Sequence, residues 1–459
     1  MEAVQFRYAA WNFGDLRLKK TAQILYDRMT SMRDVCLRKL GMNRAGAVRF
    51  GRFLANPKVT TEELIKGICA PTRARIAGRH VLAIQDTSEF NYQAHADRVS
   101  GLGTVGNGSD VGLFVHPLLV VDADDRTCLG LAGLHLWMRN KKANANYRKQ
   151  PIEDKESYRW LSTVEAAKPC LSEAGMVTVV ADRESDIYEM WARIPDAKTH
   201  LLVRACRDRA VETEHGSLYE WLSTQPVRGI YPVYLPAVPG KRTAHTAWLD
   251  VRYGRIKIKR PKQCSDPNAP ESIEVTALEV REQASSVVGQ EEPVHWRLLT
   301  THTIHTCDDA ERITGWYCQR WHIEQTFRTV KTQGLDVESS QIETGAALMK
   351  LACLALDVAV HSMQLILARD SQNERPASDV FTEKDMGVLS HLQDTLEGKT
   401  VKQKNPHLPY SLAWAAWIIG RLGGWSGYAR EHKPGPVTMH DGLVKFKLIA
   451  AGWHAARGS

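Results

Sequence analysis

Several common signals are missing from this chain of 459 residues. Met1 to Ala10 holds no apolar signal region. The most apolar run, Ala346 to Ala368, is interrupted by Lys350, Asp357 and His361, which predicts a buried helix and not a membrane span. The nine cysteines (Cys36, Cys69, Cys128, Cys170, Cys206, Cys264, Cys307, Cys318 and Cys353) contain no CxxC pair and no ligand spacing. That excludes a cysteine zinc site or disulfide frame and predicts reduced thiols in a cytosolic setting. Acid is also in deficit: Lys plus Arg outnumber Asp plus Glu by 60 to 52, a formal net charge of +8. A basic balance favours a polyanionic partner, although a merely solvated basic surface has the same composition.

With 43% hydrophobic and 24% charged residues, the composition is that of a soluble globular protein, long enough for two or three cores. The most informative stretch is Trp316 to Lys331. Wound at about 100° per residue, it brings Tyr317, Arg320, Glu324 and Lys331 within roughly 60° of one another. Trp316, Ile323, Phe327 and Val330 form an apolar strip beside that charged stripe, which places the charges at the rim of something covered. Asp308 as N-cap, with Glu311 three residues on, predicts one helix running through to Lys331. A solvated face with a spaced Glu–Arg salt bridge would present the same pattern.

Upstream, two apolar runs each close on an acid. His80 to Gln85 ends at Asp86, and Met176 to Ala181 ends at Asp182; both read as buried strands, with turn capping by the aspartate as the alternative role. Gly101 to Gly106 matches GxGxxG, but a polar stretch precedes it where a dinucleotide site needs a strand, so a flexible loop is expected and no nucleotide cofactor. Leu113 to Val121 and Cys128 to Arg139 predict a hairpin, followed by a basic loop (Lys141, Lys142, Arg148, Lys149) and a helix over 153–173. A helix over 187–193, a strand Leu201 to Arg204, a β-rich insertion over 207–294 and a strand from Trp296 to Thr300 come next. Within the insertion, Arg255, Lys257 and Lys259 alternate with isoleucines and give one strand face a positive charge, or a solvated edge. Residues 1–75 read as a basic helical bundle containing Arg17, 371–410 as polar with a linker, and 411–459 as helical, packing on the body or on a second subunit.

If Asp86 and Asp182 end neighbouring strands and Glu324 approaches from a helix, three carboxylates converge. A hard divalent cation resolves their repulsion, and two such ions roughly 3.5–4 Å apart would activate water and stabilise the leaving oxygen of a phosphodiester.

Asp86 in Ile-Gln-Asp-Thr-Ser, Asp182 in Ala-Asp-Arg-Glu-Ser-Asp, and Tyr317-x2-Arg320-x3-Glu324-x6-Lys331 together resemble the DDE transposases of the insertion-sequence-four family. The similarity runs from Gly14-Asp15 and Arg52-Phe53 through Asn56-Pro57 to Arg421-Leu422-Gly423-Gly424. The resemblance implies an α/β, RNase-H-like mixed-sheet catalytic core over 76–370 carrying the β-rich insertion. It also implies an N-terminal helical DNA-end-binding domain over 1–75 and a C-terminal helical dimerisation segment within 371–459. The implied reaction is Mg²⁺-dependent cut-and-paste transposition, with Mn²⁺ as a substitute and two ions per site, through nicking, a DNA hairpin and strand transfer. The implied partners are terminal-repeat and target double-stranded DNA and a second subunit in a synaptic homodimer, in the bacterial cytoplasm with the nucleoid and away from any membrane. Asp86, Asp182 and Glu324 correspond to the metal ligands. Tyr317, Arg320 and Lys331 correspond to phosphate contacts, Trp296 to a base-stacking tryptophan, and Arg183, Arg204, Trp321 and Arg17 to further DNA contacts. The sequence departs from a relative within that family at Gln93, where the relative has an arginine, and at Gly112-Leu113-Phe114, where it has tryptophans. An RNase-H-like nuclease without strand transfer and a non-catalytic DNA-binding derivative are the alternatives.

Overall fold

Side-chain caps open the first helices: Asp15, Asn43 and Thr60 accept from the N–H groups of Arg17, Gly46 and Glu63. They start α1 (Leu16–Met32), α3 (Arg44–Ala55) and α4 (Thr61–Arg75), with the short α2 (Leu37–Gly41) between the first two. The computed structural model describes residues 10–457 apart from 107, 140–149, 236, 238–239, 241, 265, 290, 333, 370–374 and 429–432. The basic loop of Lys141, Lys142, Arg148 and Lys149 lies outside the described residues.

The strands follow as β1 (His80–Gln85), β2 (Ser88–Asn91), β3 (Gly103–Val105), β4 (Asp110–Asp122) and β5 (Cys128–Trp137). The expected flexible loop at Gly101 to Gly106 is corrected here, because its centre is β3, paired antiparallel with β4. Its glycine serves close packing: a Cβ on Gly103 would come 2.6 Å from the Arg139 backbone. The predicted hairpin is β4–β5, turned by Arg126 at a left-handed φ of 63°. Helix α5 (Arg159–Leu171) is shorter than expected because two 3₁₀ turns, Ile152–Asp154 and Glu156–Tyr158, take its leading residues. Then come β6 (Met176–Ala181), α6 (Tyr188–Arg193), β7 (Thr199–Arg204), α7 (Leu218–Thr224), β8 (Gly229–Leu235), β9 (His245–Lys259), β10 (Ser272–Glu282) and β11 (His295–Thr300).

Among the described residues the strands form one mixed sheet in the order β2-β4-β1-β6-β7-β11-β10-β9-β8, with β3 and β5 also on β4. Its centre, β5-β4-β1-β6-β7, has β4 antiparallel to β1 and β6 and β7 parallel to it, an arrangement consistent with an RNase-H-like core. The β-rich stretch over 207–294 does not stand apart from this core. Strand β11 pairs with β7 and hands the hydrogen-bond ladder on to β10, β9 and β8, so the stretch extends the same sheet. Its positive strand face is partly neutralised, since Arg255 pairs with Glu274 and Lys257 with Glu212.

The predicted single helix is two. Helix α8 (Cys307–Cys318) is opened by Thr306 in a capping box with Asp309, not by Asp308, and α9 (Trp321–Val330) follows. Between them Arg320 and Ile323 donate three residues back, to Tyr317 and Arg320, in a tighter turn than an α-helix makes. Next, α10 (Gly345–Ala368) is long and apolar enough to cross a membrane, but its most apolar window is 94% buried inside the protein. It touches α1, α3, α4, α9 and β5. The stretch expected to hold a linker contains α11 (Glu383–Leu396), and α12 (Leu412–Leu422) and α13 (Pro436–Arg457) complete the chain. Helices α12 and α13 pack on α10, and Trp414 and Trp417 are buried within the protein itself.

The sheet separates two cores. Leu82, Ile84, Val180, Leu202 and Leu298 face the core shared with α8 to α10, whereas Val81, Ala83, Val179, Ala181 and Val203 face that of α5 and α6.

Candidate active site

Asp86 lies where an antiparallel ladder is interrupted. Gln85 pairs with Leu118 and Ser88 with Val115, so in unbroken register Asp86 and Thr87 face Pro117 and His116. Proline has no N–H to donate. The edge of β4 therefore changes partner there from β1 to β2, and the Asp86 carboxylate is left to accept from the Thr87 N–H at 2.8 Å. His116, fully buried, holds both sides of the gap, with one ring nitrogen 2.9 Å from the Thr87 hydroxyl and the other 3.0 Å from the Gln85 side chain. Burial, followed by Arg159, keeps that imidazole neutral well below its ordinary range.

Strands β1 and β6 are parallel neighbours, with His80 opposite Met176 and Ile84 opposite Val180. The same offset carries Asp86 to Asp182, one step past each strand, on the face shared by Ile84 and Val180. Asp182 caps a 3₁₀ turn and accepts from the Glu184 N–H at 2.9 Å. Ile323 and Phe327 on α9 are buried in the core on that same face, which points the neighbouring Glu324 at the strand ends.

Asp86 is influenced by both other acids. The Asp86 carboxyl is raised to about 6, first by burial, then by repulsion from Asp182, with Arg320 opposing and Glu324 adding to the rise. Arg320, at the junction of α8 and α9, donates from one terminal nitrogen to Asp86 at 2.8 Å and from the other to Glu324. Among the described residues no set of three or more His, Cys, Asp or Glu side chains closes on a common point as a metal site does. The reason is visible in the contacts: the guanidinium spans the oxygens of Asp86 and Glu324. The donor set, three carboxylates, nevertheless has the chemistry of a hard divalent-cation site, with Asp86 and Asp182 level on neighbouring strands.

Four further predicted residues border this group. Tyr317 is buried with its ring 5.8 Å from that of Trp296, and burial, opposed by Arg320 and Arg204, raises its phenol. Arg204 is the last residue of β7, level with Asp182 in the parallel register, and donates to the His295 carbonyl at 3.3 Å. With Arg183, His295 and Arg297 it lines a basic pocket of about 210 Å³. Arg183 is exposed and, together with Asp86, also lines an open cleft of about 1370 Å³.

The remaining predicted residues have partners of their own. Lys331 ends α9 and pairs with Glu338 at 3.3 Å, over the Phe90 ring. Trp321 is 43% exposed, with the Arg328 guanidinium 4.7 Å from its ring centre. Arg17 is exposed at the start of α1 and pairs with its own cap, Asp15, at 3.1 Å.

Sequence reasoning missed the props of the site. Arg159 donates to the Thr87 hydroxyl at 2.9 Å and to Glu184 at 2.7 Å, tying α5 to both acid-bearing loops. Glu338 accepts from the Asn91 N–H at 2.8 Å while it pairs with Lys331. No local pattern marks either residue, since their partners lie far away in the chain. Asp182 and Glu324, although not Asp86, fall within residues 161–357. That stretch matches the family model of the transposase DDE domain, a match that supports the DDE-transposase family for this chain.

Proposed function

We propose that the chain is a Mg²⁺-dependent DNA transposase of the insertion-sequence-four kind, nearest to the cut-and-paste transposase of transposon five. The observation that carries this is the shared level and face of Asp86 and Asp182 on adjacent parallel strands, with Glu324 linked to Asp86 through Arg320. In this reading Asp86, Asp182 and Glu324 hold divalent cations. Bound there, the cations would lower the pKa of an attacking water and stabilise the leaving oxygen.

The protein's own groups position the DNA. Arg320 and Lys331 take non-bridging phosphate oxygens, Tyr317 hydrogen-bonds the same backbone, and Trp296 stacks on an unpaired base, worth about 1–3 kcal/mol. Arg183, Arg204 and Trp321 line the strand beyond, and Arg17 contacts the transposon end. Tyr317 is buried, whereas Asp86 opens on the large cleft through which DNA would reach it. Terminal-repeat and target double-stranded DNA are the substrates, two chains hold two ends in a synaptic homodimer, and the work is done in the cytoplasm at the nucleoid.

Incubation with linear duplex carrying the cognate ends and Mg²⁺, resolved on a denaturing gel, tests this. Nicks, hairpins and joined products are expected. Nicks that never join point to a nuclease, and intact DNA overturns the catalytic reading.

A further inference from the structure

Arg320 occupies a position that a phosphate-binding residue has no need to occupy. One nitrogen of its fork reaches Asp86 at 2.8 Å and the other reaches Glu324, so it neutralises two of the three acids from within the protein. All three partners are largely withdrawn from water, with side-chain exposures of 20% for Arg320, 18% for Asp86 and 29% for Glu324. The local backbone sets this up. The tight turn between α8 and α9 puts Arg320 at the break, one helical turn before Glu324, while Asp86 is released opposite Pro117 across the gap.

A guanidinium and a small divalent cation have the same preference for carboxylate oxygens, and their like charges exclude close occupation together. Leaving such a pair costs heavily unless the arginine finds another anion. A phosphodiester is that anion, because its two free oxygens match the same planar fork.

We propose that Arg320 is a substrate-operated latch on the cation site: it holds Asp86 and Glu324 together until a DNA phosphate draws its guanidinium away and frees their oxygens for the metal. Arg320 is thus a positioning residue whose two anionic partners, carboxylate and phosphate, alternate. The inference rests on the proposed function, since it needs both a cation site and a DNA substrate. Its consequence is reciprocal: DNA tightens cation binding, and the cation tightens DNA binding by the same factor. An enzyme so built does not load its cutting ions until an end is seated.

The test is Mn²⁺ titration of the full chain, followed by the paramagnetic resonance of free Mn²⁺, with and without a pre-cleaved duplex of the terminal repeat. For wild type, DNA should tighten Mn²⁺ binding, by roughly tenfold. Arg320→Ala should bind Mn²⁺ about tenfold more tightly than wild type without DNA, and DNA should then add little. Arg320→Lys, which keeps the charge but cannot span both carboxylates, should fall between them and carries the test if the alanine variant does not fold. DNA-free affinities no tighter than wild type in the variants overturn the latch. Wild type that binds no Mn²⁺ even with DNA overturns the cation site itself, a separate result.

Discussion

Asp86 shows how a single carboxyl can be costly to the fold. Its raised value, about 6, means the folded protein prefers it protonated, so its charge works against stability above pH 6. That penalty disappears as the pH falls below the ordinary carboxyl value of about 3.9. Asp86→Asn keeps the acceptor for the Thr87 N–H and removes the repulsion from Asp182. The variant should therefore be more stable than wild type by about 1 kcal/mol at pH 8 and no more stable at pH 4, in parallel thermal melts. Its cleavage of end DNA should fall below detection on the same gel assay. A melting temperature that drops at pH 8 would show that the pairing with Arg320 outweighs the crowding of the acids.

At the scale of elements, the opposite end of the central strands holds a second titratable group of residues. His80 and His302 both reach the Thr178 hydroxyl, at 2.8 and 2.7 Å, and His302 stacks on His200 at 4.0 Å. Burial, then the two neighbouring imidazoles, push His302 down to about 3, and burial lowers the other two as well. A histidine kept neutral by the fold stabilises fully above its unfolded pKa of about 6.5, and that contribution is lost as the pH falls towards the folded value. Urea melts at pH 7.5 and 4.5 should show His302→Gln losing about 2 kcal/mol less than wild type between the two conditions. Equal losses would assign the acid sensitivity elsewhere. Strand pairing is what brings these imidazoles together, since 102 positions separate His200 from His302 and nothing near either one marks the other.

For the whole molecule, charge and layering decide how DNA is met. The formal net charge of +8 favours association with a polyanion in general. Arg17 sits at the start of the first N-terminal helix with an exposed side chain. If it contacts a terminal repeat, Arg17→Ala should lower the slope of log affinity against log salt by about one unit in filter binding, and leave Mn²⁺ binding unaltered. An unchanged slope removes Arg17 from the interface.

Some of this was legible locally. Each apolar run closing on an acid predicted a strand, and β1 and β6 are those strands. A short continuous apolar run sufficed for that, because a strand buried on both faces is apolar on both. The side chains of Trp316, Ile323, Phe327 and Val330 likewise marked the buried strip of α8 and α9. The break between these helices was not legible, since every residue from Trp316 to Lys331 tolerates a helix and the tighter turn shows only in the backbone hydrogen bonds around Arg320. Nor did the β-rich composition of 207–294 reveal that it joins the main sheet, because hydrogen-bond ladders are closed by partners distant in the chain.

What the residues determined by themselves was the inventory: which strands and helices form, which acids end them, and which cations accompany those acids. What tertiary structure alone decided was proximity. An offset of 96 positions levels Asp86 with Asp182 only because β1 and β6 pair in parallel, and Arg320 meets both Asp86 and Glu324 only because α9 packs on the same face of the sheet. Periodicity is a property of neighbouring residues, whereas electrostatic coupling depends on distance through space.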